Sequence, residues 1–174
     1  MIFRWLAAGL LLWASMTAAQ DDSVPVAHEI IAACIAETRP ELPTYPGRVS
    51  EGESGYDAYI AMRERETDCL LLPLRLCDVV SGEMRSDCIV WADGLYRTDL
   101  SISLALMPPS IDGRMLEPRR YARFMERAQS DFPFDEAACE GMPLGPDICR
   151  LFLLQLDVLS ARFWVEWLKR EGQL

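Results

Sequence analysis

Apolar positions recur at helical intervals along most of this chain, and alternating strand patterns are nearly absent. Residues 24–38 predict a first helix, with positions 27, 30, 31, 34 and 35 on one face. Pro40 and Pro43 stop it. Residues 39–56 hold three prolines and three glycines and read as a loop, the longest structureless stretch after the N-terminal segment. Residues 57–79 predict a second helix with Tyr59, Met62, Glu66 and Cys69 on one side. Pro73 should kink or break it, because proline lacks the amide proton. Ser81 is a good N-cap for a third helix, whose apolar stripe runs through Met84, Cys88, Trp91, Leu95 and Ile102. Pro108 and Pro109 end it. Glu117-Pro118 starts a fourth helix that buries Tyr121, Phe124, Met125 and Ala128. Prolines and glycines break residues 131–147. A last helix runs from about Asp147 to Arg170 with Ile148, Leu151, Phe152, Leu159, Phe163 and Trp167 inward. The pattern therefore predicts an all-α fold, a single small domain of four to five helices.

Residues 1–19 stand apart from this domain. Arg4 precedes an apolar run from Trp5 to Trp13, and small residues follow at Thr17 and Ala19. This is the layout of a secretory signal peptide, and the run is short for a membrane span. Its removal shortens the chain from 174 residues to 155, residues 20–174, and takes the formal net charge from −10 to −11. No later stretch reads as a membrane span, so the expectation is a periplasmic or secreted protein without a membrane segment. All six cysteines, Cys34, Cys69, Cys77, Cys88, Cys139 and Cys149, survive the cut. An even count in an exported chain reads as a disulfide framework. Zinc would want closer cysteine pairs. Six cysteines allow fifteen connectivities, and their spacing selects none.

The charge excludes one partner class. A pI near 4.6 leaves no basic stripe for phosphates, so no nucleic acid is expected. Acidity steers a protein toward basic partners and also keeps it soluble. The chain has one histidine and a single lysine, Lys169. Candidate chemistry is sparse. Glu64, Glu66 and Asp68 lie among Arg63 and Arg65, a run that reads as a solvated helix face laced with ion pairs. His28 reads as a capping or surface residue. Trp91, Trp164 and Trp167 read as core. There is no G-x-S-x-G turn, no Gly-rich phosphate loop and no Cys-x-x-Cys pair. The expectation is a non-enzymatic chain with no catalytic residue, no metal site and no cofactor.

A longer pattern begins at Cys69. Cys69-x7-Cys77 is followed by Gly82-Glu83-Met84 and Cys88, then Leu100 and Ala105-Leu106-Met107. Ala128-Gln129, Ala138-Cys139 and Cys149 come next, ahead of a long helix containing Arg162. Over roughly residues 28–168 this resembles the lysozyme inhibitor LprI-like domain family, small exported helical proteins of bacteria. Cys34 and the Cys69–Cys77 spacing resemble an extended six-cysteine subgroup. The chain departs from the family at polar positions. Ala92 stands where members carry a glutamate, Tyr96-Arg97 where they have Trp-Asp, and Leu100-Ser101 where they have Leu-Asn. Phe132 or Phe134 takes the place of a tryptophan, and only Asp135 remains of an Arg-Asp pair. Beside this resemblance, a sequential pairing (Cys34–Cys69, Cys77–Cys88, Cys139–Cys149) would staple the first helix to the second and close two short loops.

The family name implies inhibition of a lysozyme by binding its cleft, which two catalytic carboxylates line. The inserted group should be neutral or basic, since another carboxylate would be buried beside those two. Tyr45 and Arg48 in the 39–56 loop and Arg114 in the 108–118 loop are the candidate target-binding residues. The rival expectation is a periplasmic accessory module that binds another envelope protein through an apolar helix face.

Overall fold

The computed structural model describes residues 23–112, 117–129, 136–140 and 145–174. The leader-like segment, Arg114, Phe132, Phe134 and Asp135 lie outside the described residues. Five α-helices are present and no strand among the described residues: α1 Ser23–Glu37, α2 Tyr56–Val79, α3 Glu83–Leu106, α4 Glu117–Gln129 and α5 Pro146–Arg170. A short 3-10 helix, Glu136–Cys139, precedes α5. The all-α expectation holds. No helix among the described residues is long and apolar enough to cross a membrane.

Three disulfides staple the helices, and they follow the sequential scheme. Cys34–Cys69 ties α1 to α2, Cys77–Cys88 closes the link between α2 and α3, and Cys139–Cys149 ties the 3-10 helix to α5. By loop-closure entropy the two short loops stabilise by about 3 kcal/mol each and the long one by about 4.

Two local expectations need correction. The residue that caps α3 is Gly82, not Ser81, and its φ of 64° is positive. The chain reverses there within three residues, and glycine accepts that backbone without a Cβ penalty. Pro73 does not end α2, which runs through it to Val79 with the proline buried. Proline leaves the Cys69 carbonyl without its usual donor. Beside that gap, the buried Tyr96 hydroxyl of α3 donates to the Leu70 carbonyl. Disulfides on either side of Pro73 hold both halves of the helix in place.

The helix α5 is the axis of the domain, with α3 packed along it and α2 against both. Leu70, Leu100, Leu151, Val158, Val165 and Leu168 fill the space between them. The buried stripes differ from the apolar pattern. On α3 the buried positions are Cys88, Ala92, Tyr96, Asp99, Leu100 and Ser103, while Met84 is exposed. On α5 Phe163 is 38% exposed, and Gln155, Arg162 and Glu166 face inward. On α1 Ile31 and Ile35 are buried, but Ile30 is exposed. Only α4 buries the four residues its pattern names.

The reason lies in one side chain. Arg162 of α5 is wholly buried. Its Nε donates to Asp99 Oδ2 of α3 at 2.7 Å. Nη2 donates to the Ile35 carbonyl at 2.8 Å. Nη1 donates to Thr38 Oγ1 at 3.0 Å, and Glu66 Oε1 of α2 lies 3.4 Å from it. Arg162 thus adds donors to the Ile35 and Thr38 carbonyls at the end of α1, where Thr38 Oγ1 also donates to the Ile35 carbonyl. It also neutralises carboxylates from two other helices. Arg39 Nε donates to the second oxygen of Asp99 at 2.6 Å, and Arg63 donates to the second oxygen of Glu66.

Breaking a buried pair leaves an uncompensated charge, which costs more than the pair itself contributes. Arg162→Met should therefore lower stability by about 3–5 kcal/mol in urea unfolding. A loss under about 1 kcal/mol would contradict this account of the core.

Candidate functional site

After α1 the chain cannot stay helical. Pro40, Pro43 and Pro46 remove donors, and Gly47 sits at φ 69°. The segment instead folds into tight turns. Leu42 N–H donates to the Arg39 carbonyl, and Tyr45 N–H to the Leu42 carbonyl. Further on, Ser50 N–H donates to the Glu53 carboxylate at 2.7 Å.

Three contacts fasten this loop to the helices. Lys169 Nζ donates to the Pro40 carbonyl at 2.6 Å. Arg39 reaches Asp99 as described. The Arg48 guanidinium lies over the Phe163 ring, 5.8 Å from its centroid. Between the loop and the last turns of α5 lies a cleft of about 360 Å³. Pro40, Leu42, Pro43 and Tyr45 line one side. Arg48, Lys169 and Arg170 supply positive charge, and Glu166 also lines it.

Glu166 is the anomaly. It is 3% exposed, and the Tyr59 hydroxyl is the neutral polar group that faces its buried carboxylate. Its ion-pair contact is Arg63 Nη1, at 3.7 Å. Burial pushes its pKa above the usual carboxylate range, and Arg63 offsets part of that. Glu66 is raised for the same reason, against the pull of Arg63 and Arg162. Charges thus alternate from the interior to the cleft: Asp99, Arg162, Glu66, Arg63, Glu166. The Glu166 oxygens are sealed from solvent, so the carboxyl is poorly placed to exchange protons with a molecule in the cleft.

Two of the candidate binding residues, Tyr45 and Arg48, come together here. The Tyr45 hydroxyl is buried, and burial followed by the Glu66 charge raises its pKa. What Tyr45 can present is its ring. Arg48 is exposed. Arg114, as noted, is not among the described residues. Glu64 and Asp68 are solvated as expected, but Glu66 is wholly buried, which corrects the solvated reading of that run. His28 is not a simple surface residue either: its ring stacks on Trp91 at 3.7 Å, and burial lowers its pKa. Trp164 is core, edge-on to Tyr121 and Trp167. The sequence pattern assigns no site role to Glu166, Lys169 and Arg170. Their i, i+3, i+4 spacing puts them on one helix face, and that was the available signal. No family model, no curated protein and no solved structure matches this chain.

A carboxyl raised in the folded state stabilises most below its ordinary value of 4.5 and loses that contribution as pH rises through its folded value. The contribution of Glu166 to the urea midpoint should therefore fall as pH rises above 4.5, against the opposite slope of His28, whose lowered pKa adds stability as pH rises. Glu166→Gln should make the slope of the midpoint with pH less negative, with Glu66 and Asp157, both raised by burial, keeping their share. An unchanged or steeper slope in the variant would show that Glu166 is not the strained group.

Proposed function

We propose that this chain is an exported, disulfide-bonded binding protein of the LprI-like kind that inhibits a lysozyme by occupying its cleft. The observation that supports this reading most directly is Arg48. It is an exposed guanidinium on a loop fastened at Pro40 and steadied by the Phe163 ring. A binding group held in place before contact loses less entropy on association. Arg48 is basic, as a cleft lined by two carboxylates requires. The net charge of −10 steers the whole body toward a cationic enzyme. Three disulfides in a chain with a signal-like start suit the periplasm or the extracellular space. We read the chain as non-enzymatic and free of cofactors, a reading supported by the Glu166 carboxyl at the cleft being sealed from solvent.

A second reading has its own support. Val26 and Ile30, one turn apart on α1, are 55% and 62% exposed. An accessory module would bind another envelope protein through that apolar face.

A turbidity assay against a panel of lysozymes separates the two. Inhibition at micromolar protein is expected, with Arg48→Ala weakening it at least about tenfold, the scale of one charge-assisted contact. Absence of inhibition across the panel would overturn the first reading, and a periplasmic pull-down lost on Ile30→Ser would support the second.

A further inference from the structure

The cleft holds more positive charge than the fold uses. The chain carries 27 acidic and 17 basic side chains, so spare cations are unusual in it. Arg48 nevertheless makes no close ion pair and no side-chain hydrogen bond among the described residues; it lies over the Phe163 ring, and its charge acts on Glu166 only at longer range. A guanidinium has five N–H donors, and all of them remain available. Lys169 donates to the Pro40 carbonyl and pairs with no carboxylate among the described residues. Arg170 shares its guanidinium with the neighbouring Glu171 at 2.8 Å. Cations in the last turn of a helix complement its dipole, which accounts for Lys169 and Arg170. It does not account for Arg48, which comes from the loop across the cleft.

We propose that this cleft recognises a carboxylate carried on a short aliphatic stem within a peptide segment. Arg48 and Lys169 take the carboxylate oxygens, and Arg170 adds positive charge. Pro40, Leu42 and Pro43 pack against the stem. A cleft of about 360 Å³ is at the small end of ligand sites, so it admits one or two residues rather than a folded element. Glu166 beneath the cleft opposes an anion only when ionised. Burial disfavours that form, and the cations outnumber it. The inference shares Arg48 with the proposed inhibition but does not rest on it, and its test contains no lysozyme.

The probes are three blocked tripeptides added to isotope-labelled full-length protein and followed by amide chemical shifts. Ac-Ala-Glu-Ala-NH2 carries a side-chain carboxylate, Ac-Ala-Ala-Ala-OH a terminal one, and Ac-Ala-Gln-Ala-NH2 none. Ac-Ala-Glu-Ala-NH2 should bind about tenfold tighter than the neutral peptide and tighter than the terminal acid, with shifts concentrated in residues 40–48 and 163–170; a preference for the terminal acid, which has no stem, would overturn the proposal. Arg48→Gln should weaken that binding about tenfold, while Arg123→Gln on exposed α4 should leave it unchanged. Equal binding of the acidic and neutral peptides would overturn the proposal. Equal affinity in Arg48→Gln and the parent protein would do the same.

Discussion

Arg162 is the constraint on which the arrangement of four segments depends. A guanidinium cannot shed its charge, so burying it requires partners that are both anionic and correctly aimed. Asp99 and Glu66 come from different helices, and the Ile35 and Thr38 oxygens from the end of a third. Each partner fixes one helix against α5. Apolar packing alone would tolerate a helix sliding or rotating by part of a turn. A forked donor that must meet oxygens from three other segments does not.

This explains where the sequence was legible and where it was not. The disulfide-bonded, all-helical character followed from the even cysteine count, the signal-like pattern of the first residues and the helical spacing. The fourth helix read correctly because its buried face is purely apolar. The stripes of α3 and α5 were misplaced because polar residues occupy their inward faces. Periodicity counts Asp99, Arg162 and Glu166 as outward positions. Their burial becomes visible only when all the partners are in one place. Glu66 was misread for the same reason, sitting in a run of charges whose other members are solvated.

The cleft was half legible. Tyr45 and Arg48 drew notice because the loop is long and rich in proline and glycine. Their counterparts on α5 lie more than a hundred residues further along. Only the tertiary fold brings the two stretches together. The same fold places Glu166 at the junction of core and cleft, where it inherits the low polarity of one and the positive charge of the other.

Arg162 also sets an order of events. A chain synthesised from its N-terminus presents α1, α2 and α3 before α5. Cys34 can meet Cys69, and Cys77 can meet Cys88, before the last helix arrives. Asp99 and Glu66 would then have only Arg39 and Arg63 to face, and the end of α1 would keep only its local Thr38 bonds. The covalent staples of the first half can thus precede the charge balance that makes it compact. A chain cut short before α5 would be cross-linked yet unfinished, with acidic groups that still demand water. Such a product would stay open to proteolysis until α5 packs against it.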